Sequence, residues 1–308
     1  MFRNKSILAF IVFILILNTY AQQRITKKHD VIGKKKLNLL PANFKLSYES
    51  EVLITKDDFI FISGNGIPDH LVGRFPNKSN PHTVLPQKYN FKINYNGKMN
   101  KKSEPLRLDP TKNDRGSHGR PFGVSINSVL FDPGTAEFWM GDKELGWNYC
   151  ALGATIPLGL DDNHAHVQPN GSYHYHGIPT GLLNNLDFNN NNHSPLVGWS
   201  ADGFPIYALI GFKNNTKELI EHKSSFKLRS GFRPNPPDGP GGRYDGTFVQ
   251  DYEYIKGLGT LDECNGYYSV TPEFPNGIYA YFLTEEWPVI PRNFRGKAIN
   301  LRDKRNPK

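Results

Sequence analysis

Histidine is concentrated in one short stretch of this chain. The segment HAHVQPNGSYHYHG holds four of the ten histidines in the 308-residue sequence. Neutral imidazole nitrogens are ligands that copper, zinc and nickel accept, whereas calcium and magnesium prefer oxygen. We therefore predict a transition-metal site, for copper or zinc, with His164, His166, His174 and His176 as ligands. The alternative is four unrelated rings that bond backbone carbonyls in a polar core.

Turn length decides whether the four rings can meet. Pro169, Asn170 and Gly171 suit a three-residue hairpin loop, with proline opening a type I turn and glycine in the left-handed position that follows. Gln168 then faces Ser172. A loop of two or four residues would place the two pairs of histidines on opposite faces.

The three-residue loop puts all four histidines on one face of the hairpin. Counting back from the turn pairs His166 with His174 and His164 with His176, and side chains alternate along each strand. The opposite face, available for core packing, carries Val167, Tyr173 and Tyr175.

Carboxylates elsewhere could act with such a metal. The candidates for a general base are Glu263, Asp262 and Glu137; Asp161, Asp162 and Asp202 also lie in or near the relevant motifs. His70 is either a distant ligand or a loop residue. An enzyme built this way would be a metal-dependent hydrolase or a copper oxidoreductase, but the sequence leaves catalysis itself open. It contains no nucleophile elbow, Walker loop, zincin helix or dinucleotide fingerprint.

The elements that position these residues are predicted to be mainly β. Short alternating segments such as FIFISG, YNFKINY and GIYAYFLT recur between turn residues, which predicts about ten to twelve strands and few helices. The segment TKELIEHKSSFK, residues 216–227, is the one predicted short surface helix. A single large domain with long loops fits this pattern, and so do two subdomains separated at PPDGPGG.

The amino terminus predicts export. Arg3 and Lys5 precede the apolar run from Ile7 to Leu17, which is too short to span a bilayer and is typical of a signal peptide cleaved after Ala21. A retained anchor is the alternative. Residues 22–43 are then a flexible basic arm, with order beginning near Phe44.

Charge and cysteine content suit such a setting. The formal net charge is +8, and much of the excess lies in the basic arm and in a basic tail at residues 297–308. Outside the cytoplasm, anionic polysaccharide is a more suitable partner for these ends than nucleic acid, although solvated tails are an equal alternative. Cys150 and Cys264 could form a disulfide in an oxidising compartment.

A second class of function rests on aromatic residues. A non-catalytic carbohydrate-binding or adhesive β-module of the cell envelope would need exposed rings to stack on sugars. The four tryptophans are Trp139, Trp147, Trp199 and Trp287.

Several longer strings carry a family resemblance. The string YHYHG after AHVQPNG, together with GNGIPDH, GVSINSVLFDPGTAEFW, GWSADGFPIYA, LDECNG and TPEFPNGIYAYFLT, resembles the YHYH domain family. The resemblance implies an exported or surface-associated protein with one domain, which we place at residues 44–296. It implies no reaction, substrate or catalytic residue. Cys150, after GWNY, departs from the family pattern.

Overall fold

The computed structural model of the chain describes residues 48–54, 59–95, 97–106, 120–153, 155–214 and 216–302. The predicted signal peptide and basic arm lie outside these ranges, as does the predicted tail beyond residue 302. Within the described ranges, we find no helix with the length and apolar character needed to cross a membrane.

The prediction of a mainly β fold is confirmed, since 29% of the described residues are in strands and 6% are in helices. More strands form than predicted, because many are only two or three residues long. The described strands are β1 (Ser50–Ile54), β2 (Phe59–Gly64), β3 (Tyr89–Asn94), β4 (Glu104–Pro105), β5 (Gly123–Ser125), β6 (Leu130–Phe131), β7 (Ala165–Val167), β8 (Tyr173–Tyr175), β9 (Gly198–Ser200), β10 (Pro205–Ala208), β11 (Ile210–Phe212), β12 (Leu219–Glu221), β13 (Phe226–Leu228), β14 (Tyr252–Tyr254), β15 (Gly266–Ser269), β16 (Ile278–Leu283) and β17 (Asn293–Phe294).

Within the described part of the chain, helical structure is confined to short pieces. The α-helix α1 (Thr180–Asn185) buries Leu182 and Leu183 completely, so tertiary packing holds a segment too short to be stable alone. The other described helical pieces are 3₁₀ turns at Trp139–Gly141, Lys143–Leu145 and Val249–Asp251.

One mixed eight-stranded sheet organises the domain, in the order β15-β16-β10-β9-β5-β6-β8-β7. The hairpin formed by β7 and β8 lies at its edge, where β8 pairs in parallel with β6. Strands β1 to β3 form a second, antiparallel sheet. Strands β5, β6 and β8 to β10 are buried throughout, which anchors the inner side of the hairpin in the core.

One large core connects these sheets in a single domain. Buried and exposed residues alternate along β2 and β3. The inward-facing side chains are Ile60, Ile62, Phe91 and Ile93, each at most 5% exposed. This alternation is the pattern that predicted strands in the sequence.

The predicted surface helix at residues 216–227 is wrong. Leu219–Glu221 forms β12 against β11, and Phe226–Leu228 forms β13 against β14. Helix propensity is a weak local preference, and pairing with neighbouring strands outweighs it here.

The two cysteines are both free thiols. Cys150 packs with Tyr252 and Trp287, whereas Cys264 belongs to the main core. The disulfide considered from the sequence is therefore absent between these two described residues.

Candidate metal centre

The hairpin tip has the predicted three-residue loop. Gln168 N–H donates to the Ser172 carbonyl at 2.9 Å, and Gly171 N–H donates to the Gln168 carbonyl at 2.8 Å. Gly171 has φ 84°, the left-handed conformation that this loop requires and that glycine adopts without strain. The turn prediction is confirmed.

The register places histidines and tyrosines on opposite faces, as predicted. His166 lies opposite His174, and Val167 lies opposite Tyr173. The side chains of Val167, Tyr173 and Tyr175 are at most 1% exposed and belong to the main core. The hydrophobic packing of one face therefore holds the rings of the other face in place.

Three of the four predicted histidines converge. The Nε2 atom of His176 lies 3.0 Å from Nε2 of His174 and 3.1 Å from Nε2 of His166. Their ring centroids are 4.7 to 4.8 Å apart. Each of the three offers a ligand atom within 4.8 Å of the others, an arrangement that could hold a metal ion.

His164 follows a different course. Its backbone lies opposite His176 as predicted, since His176 N–H donates to the His164 carbonyl at 2.8 Å. However, His164 has φ 55°, so its side chain leaves the alternating pattern of the strand, and its Nδ1 lies 2.8 Å from the Ile178 carbonyl. The structure does not bring His164 into the three-histidine set.

Backbone carbonyls select the tautomers of two ligands. Nδ1 of His166 lies 2.7 Å from the Leu158 carbonyl, and Nδ1 of His174 lies 3.2 Å from the Ser172 carbonyl. Since a carbonyl can only accept, each Nδ1 carries the proton and each Nε2 presents a lone pair. His176 differs, because its buried Nδ1 makes no hydrogen bond of good geometry.

Burial keeps the three rings neutral. It is the main cause that lowers the pKa of His174 and His176 well below the usual value, and the neighbouring His166 lowers both further. Burial also lowers the pKa of His166, although the Leu158 carbonyl and the carboxylate of Glu137 oppose this. Neutral imidazole is the form that binds metal.

The acidic candidates lie in different surroundings. Glu137 is exposed, and its charge opposes the lowering of the His166 pKa by burial. Asp262 and Glu263 instead pair with Arg295, at 2.6 and 2.8 Å, and Asp262 also accepts from Tyr279. Of the three predicted general bases, Glu137 is thus the one whose charge acts on a histidine of the set.

Two other predicted motif acids have structural partners. Asp161 accepts from the Tyr173 hydroxyl at 2.7 Å and from Gly73 N–H at 2.9 Å. Asp202 accepts from Ser200 and from Tyr281, and its burial raises its pKa.

His70 lies behind the hairpin, on the tyrosine face. Its Nε2 is 2.6 Å from the Tyr175 hydroxyl, and its Nδ1 is 2.9 Å from the Leu71 carbonyl. This favours the role of a loop residue that supports the hairpin from the core side.

Several residues around the histidines were not linked to the site by the sequence alone. The buried Asp132 pairs with Arg302, which lies in the described part of the predicted basic tail, and accepts from Gln168 at 3.1 Å. Arg292 lowers the pKa of His176 through its charge. Both arginines lie far from the histidines in sequence, so only the fold could bring them together.

The tryptophans offer little exposed surface for stacking on sugars. Trp147, Trp199 and Trp287 are 9%, 1% and 7% exposed, and Trp139 is half-buried.

Comparison with known proteins agrees with the motif analysis. The model of a family described as YHYH protein matches residues 101–296, which include the hairpin, β5 to β16 and Arg292. The GNGIPDH string lies before this match. No curated protein and no solved structure matches the chain.

Proposed function

The chain belongs to the YHYH protein family, and we propose that it binds one transition-metal ion through His166, His174 and His176. The observation that carries this proposal is the convergence of three Nε2 atoms, with contacts of 3.0 and 3.1 Å about His176. Tetrahedral bonds of about 2.0 to 2.1 Å to zinc would separate such nitrogens by about 3.3 to 3.4 Å. Small ring movements are enough to reach that spacing.

Charge and hydrogen bonding favour a cation at this point. The Nε2 atoms of His166 and His174 both present lone pairs toward Nε2 of His176, because the Nδ1 protons of these two rings are donated to carbonyls. Without an ion, His176 would have to donate to both rings from Nε2, leaving its Nδ1 as a buried acceptor beside the Pro133 carbonyl. The Nδ1 lone pair of His176 and the Pro133 carbonyl oxygen would then repel each other. A metal ion that accepts the Nε2 lone pairs of all three rings avoids this, because Nδ1 of His176 can then carry the proton.

The donor set suits zinc or copper. Three imidazoles form a catalytic type of zinc site when a fourth position stays open, and copper also accepts imidazole. Such an ion would supply Lewis-acid or redox chemistry. Among this chain's own residues, Glu137 is the acid we propose as the general base, since it is exposed and acts on His166. The identity of the ion decides between a hydrolase and an oxidoreductase.

The proposed setting is outside the cytoplasm. It is supported by the signal-peptide pattern that ends at Ala21 and by the net charge of +8, which suits an anionic polymer such as an acidic polysaccharide. Cell fractionation with amino-terminal sequencing of the mature protein tests this part separately from metal binding.

Metal content is the decisive measurement. Protein purified without chelator should carry about one zinc or copper ion per chain by mass spectrometry, and His174→Gln and His176→Gln should each lose it. Loss of one of three ligands should weaken affinity by more than the roughly 10- to 100-fold that outer-shell changes cost.

His164→Asn is the matched control. It removes a histidine from the same hairpin, and asparagine tolerates the left-handed backbone found at this position. We expect this variant to keep the metal. Wild-type protein free of metal, and unable to take it up when offered, would refute the proposed function.

A further inference from the structure

The guanidinium of Arg292 has no carboxylate oxygen of a described residue within 4.0 Å, although the charge of Asp132 acts on it. Arg292 lies directly before β17, and its backbone carbonyl accepts from Leu106 N–H at 2.8 Å, which fixes its position. Its buried Nε makes no hydrogen bond, and it forms no ion pair with any described residue. The arginines that do form ion pairs in the described structure are Arg120, Arg229, Arg233, Arg295 and Arg302.

Two aromatic residues beside Arg292 also have unused donors. Its guanidinium lies 5.8 Å from the ring centroid of Trp287, and Trp287 stacks on Tyr252 with centroids 4.2 Å apart and planes at 2°. Trp287 and Tyr252 are each 7% exposed. The indole Nε1 and the phenol oxygen are both buried without a hydrogen-bond partner. Three polar groups in one neighbourhood are therefore unsatisfied.

This neighbourhood adjoins the histidines. Leu152 packs against both the Cys150–Tyr252–Trp287 cluster and the main core that holds the hairpin. A Cβ on Gly177, the residue after His176, would lie 3.4 Å from Leu152 Cδ1. The charge of Arg292 also reaches His176, where it lowers the pKa.

We infer that Arg292, Trp287 and Tyr252 form an oxyanion-binding subsite beside the three histidines, so that the ligand of the metal centre carries a carboxylate or phosphate group. The three residues offer N–H and O–H donors and a positive charge, which matches an anion. The planar guanidinium binds such oxygens in a forked geometry. The nearby carboxylate of Asp132 already accepts from Arg302 and Gln168.

The Nε of Arg292, the indole Nε1 of Trp287 and the Tyr252 hydroxyl are buried without a hydrogen-bond partner, and an unsatisfied buried donor is costly. A bound anion would accept from these donors and remove that cost. That this subsite binds part of a substrate rests on the proposed metal function. Anion binding by Arg292, Trp287 and Tyr252 does not itself require the metal.

The test is anion binding by chelator-treated, metal-free protein. Isothermal titration with inorganic phosphate and, separately, with acetate measures the dissociation constant and tells the two anions apart. Binding by wild-type protein should weaken about tenfold to hundredfold in Arg292→Gln, because the lost hydrogen bonds are charge-assisted. Arg243→Gln, which removes an exposed arginine elsewhere, should bind like wild type.

Two further variants keep the test decisive if Arg292→Gln does not fold. Trp287→Phe and Tyr252→Phe keep an aromatic ring in the stack and remove one donor each, so each should weaken anion binding several-fold. Absence of anion binding in wild-type protein, or equal binding in all variants, would overturn the subsite. Metal content of the same preparations, measured before chelator treatment and again after metal is offered back, separates the two proposals. Metal uptake without anion binding refutes only the subsite, whereas anion binding without metal uptake refutes only the metal function.

Discussion

Acidifying the metal-free protein should destabilise it, and the buried histidines set the size of the effect. His174 and His176 are each 2% exposed, and burial holds the pKa of both well below the usual value. In the unfolded chain the same side chains titrate near about 6.5. Between that value and the folded pKa, only the unfolded state binds the proton. The free energy of unfolding is therefore greatest above about pH 6.5 and falls as the pH drops below it.

The magnitude follows from proton linkage. Each ring that stays neutral when folded should cost about 1.4 kcal/mol of stability between pH 7.5 and pH 5.5, since one pKa unit corresponds to about 1.36 kcal/mol. The wild-type protein should thus lose about 1.4 kcal/mol more over this interval than His176→Gln. Urea unfolding followed by tryptophan fluorescence, in buffers with chelator, measures the difference at the two pH values.

His222→Gln is the matched control for this experiment. His222 is fully buried away from the metal centre, and burial lowers its pKa to about 3, so its replacement should remove a similar share of the pH dependence. Added metal should stabilise this variant as it does wild type, because the three ligands remain, but should not stabilise His176→Gln. Equal losses of unfolding free energy on acidification in His176→Gln and in wild type would contradict this prediction.

Two further predictions concern the hairpin and the thiols. Gly171→Ala should lower the free energy of unfolding by more than the roughly 1 kcal/mol expected for the left-handed backbone alone, because its Cβ would lie 2.5 Å from Leu85 Cβ. Gly231→Ala, at φ 94° with open space around its Cβ, measures the backbone part alone in the same chemical denaturation, and equal losses in the two variants would contradict the clash. Protein purified without reductant should show two thiols per chain with a thiol reagent after denaturation, and slow reaction before it, because burial raises the pKa of Cys264. A denatured sample with no reactive thiol would mean that Cys150 and Cys264 are joined.

Local sequence determined the part of the site that depends on the turn. Proline, asparagine and glycine at 169–171 have backbone preferences that specify a three-residue loop, and the loop fixes the pairing of His166 with His174 through the two-residue period of a strand. Alternation of apolar residues likewise predicted the mainly β fold, because a strand with one buried face carries an apolar residue at every second position, a pattern visible in the local sequence.

Tertiary structure decided what lies around the hairpin. The left-handed backbone of His164 directs its ring toward the Ile178 carbonyl, and the Leu158 carbonyl accepts from His166. Every residue has a carbonyl group, so the residue types do not show which carbonyl will contact a histidine. Residues 219–221 became a strand because β11 offered a partner. Arg292 came beside His176 from more than a hundred positions away in the chain. Such neighbours depend on how distant segments pack, and local backbone preference does not encode that packing.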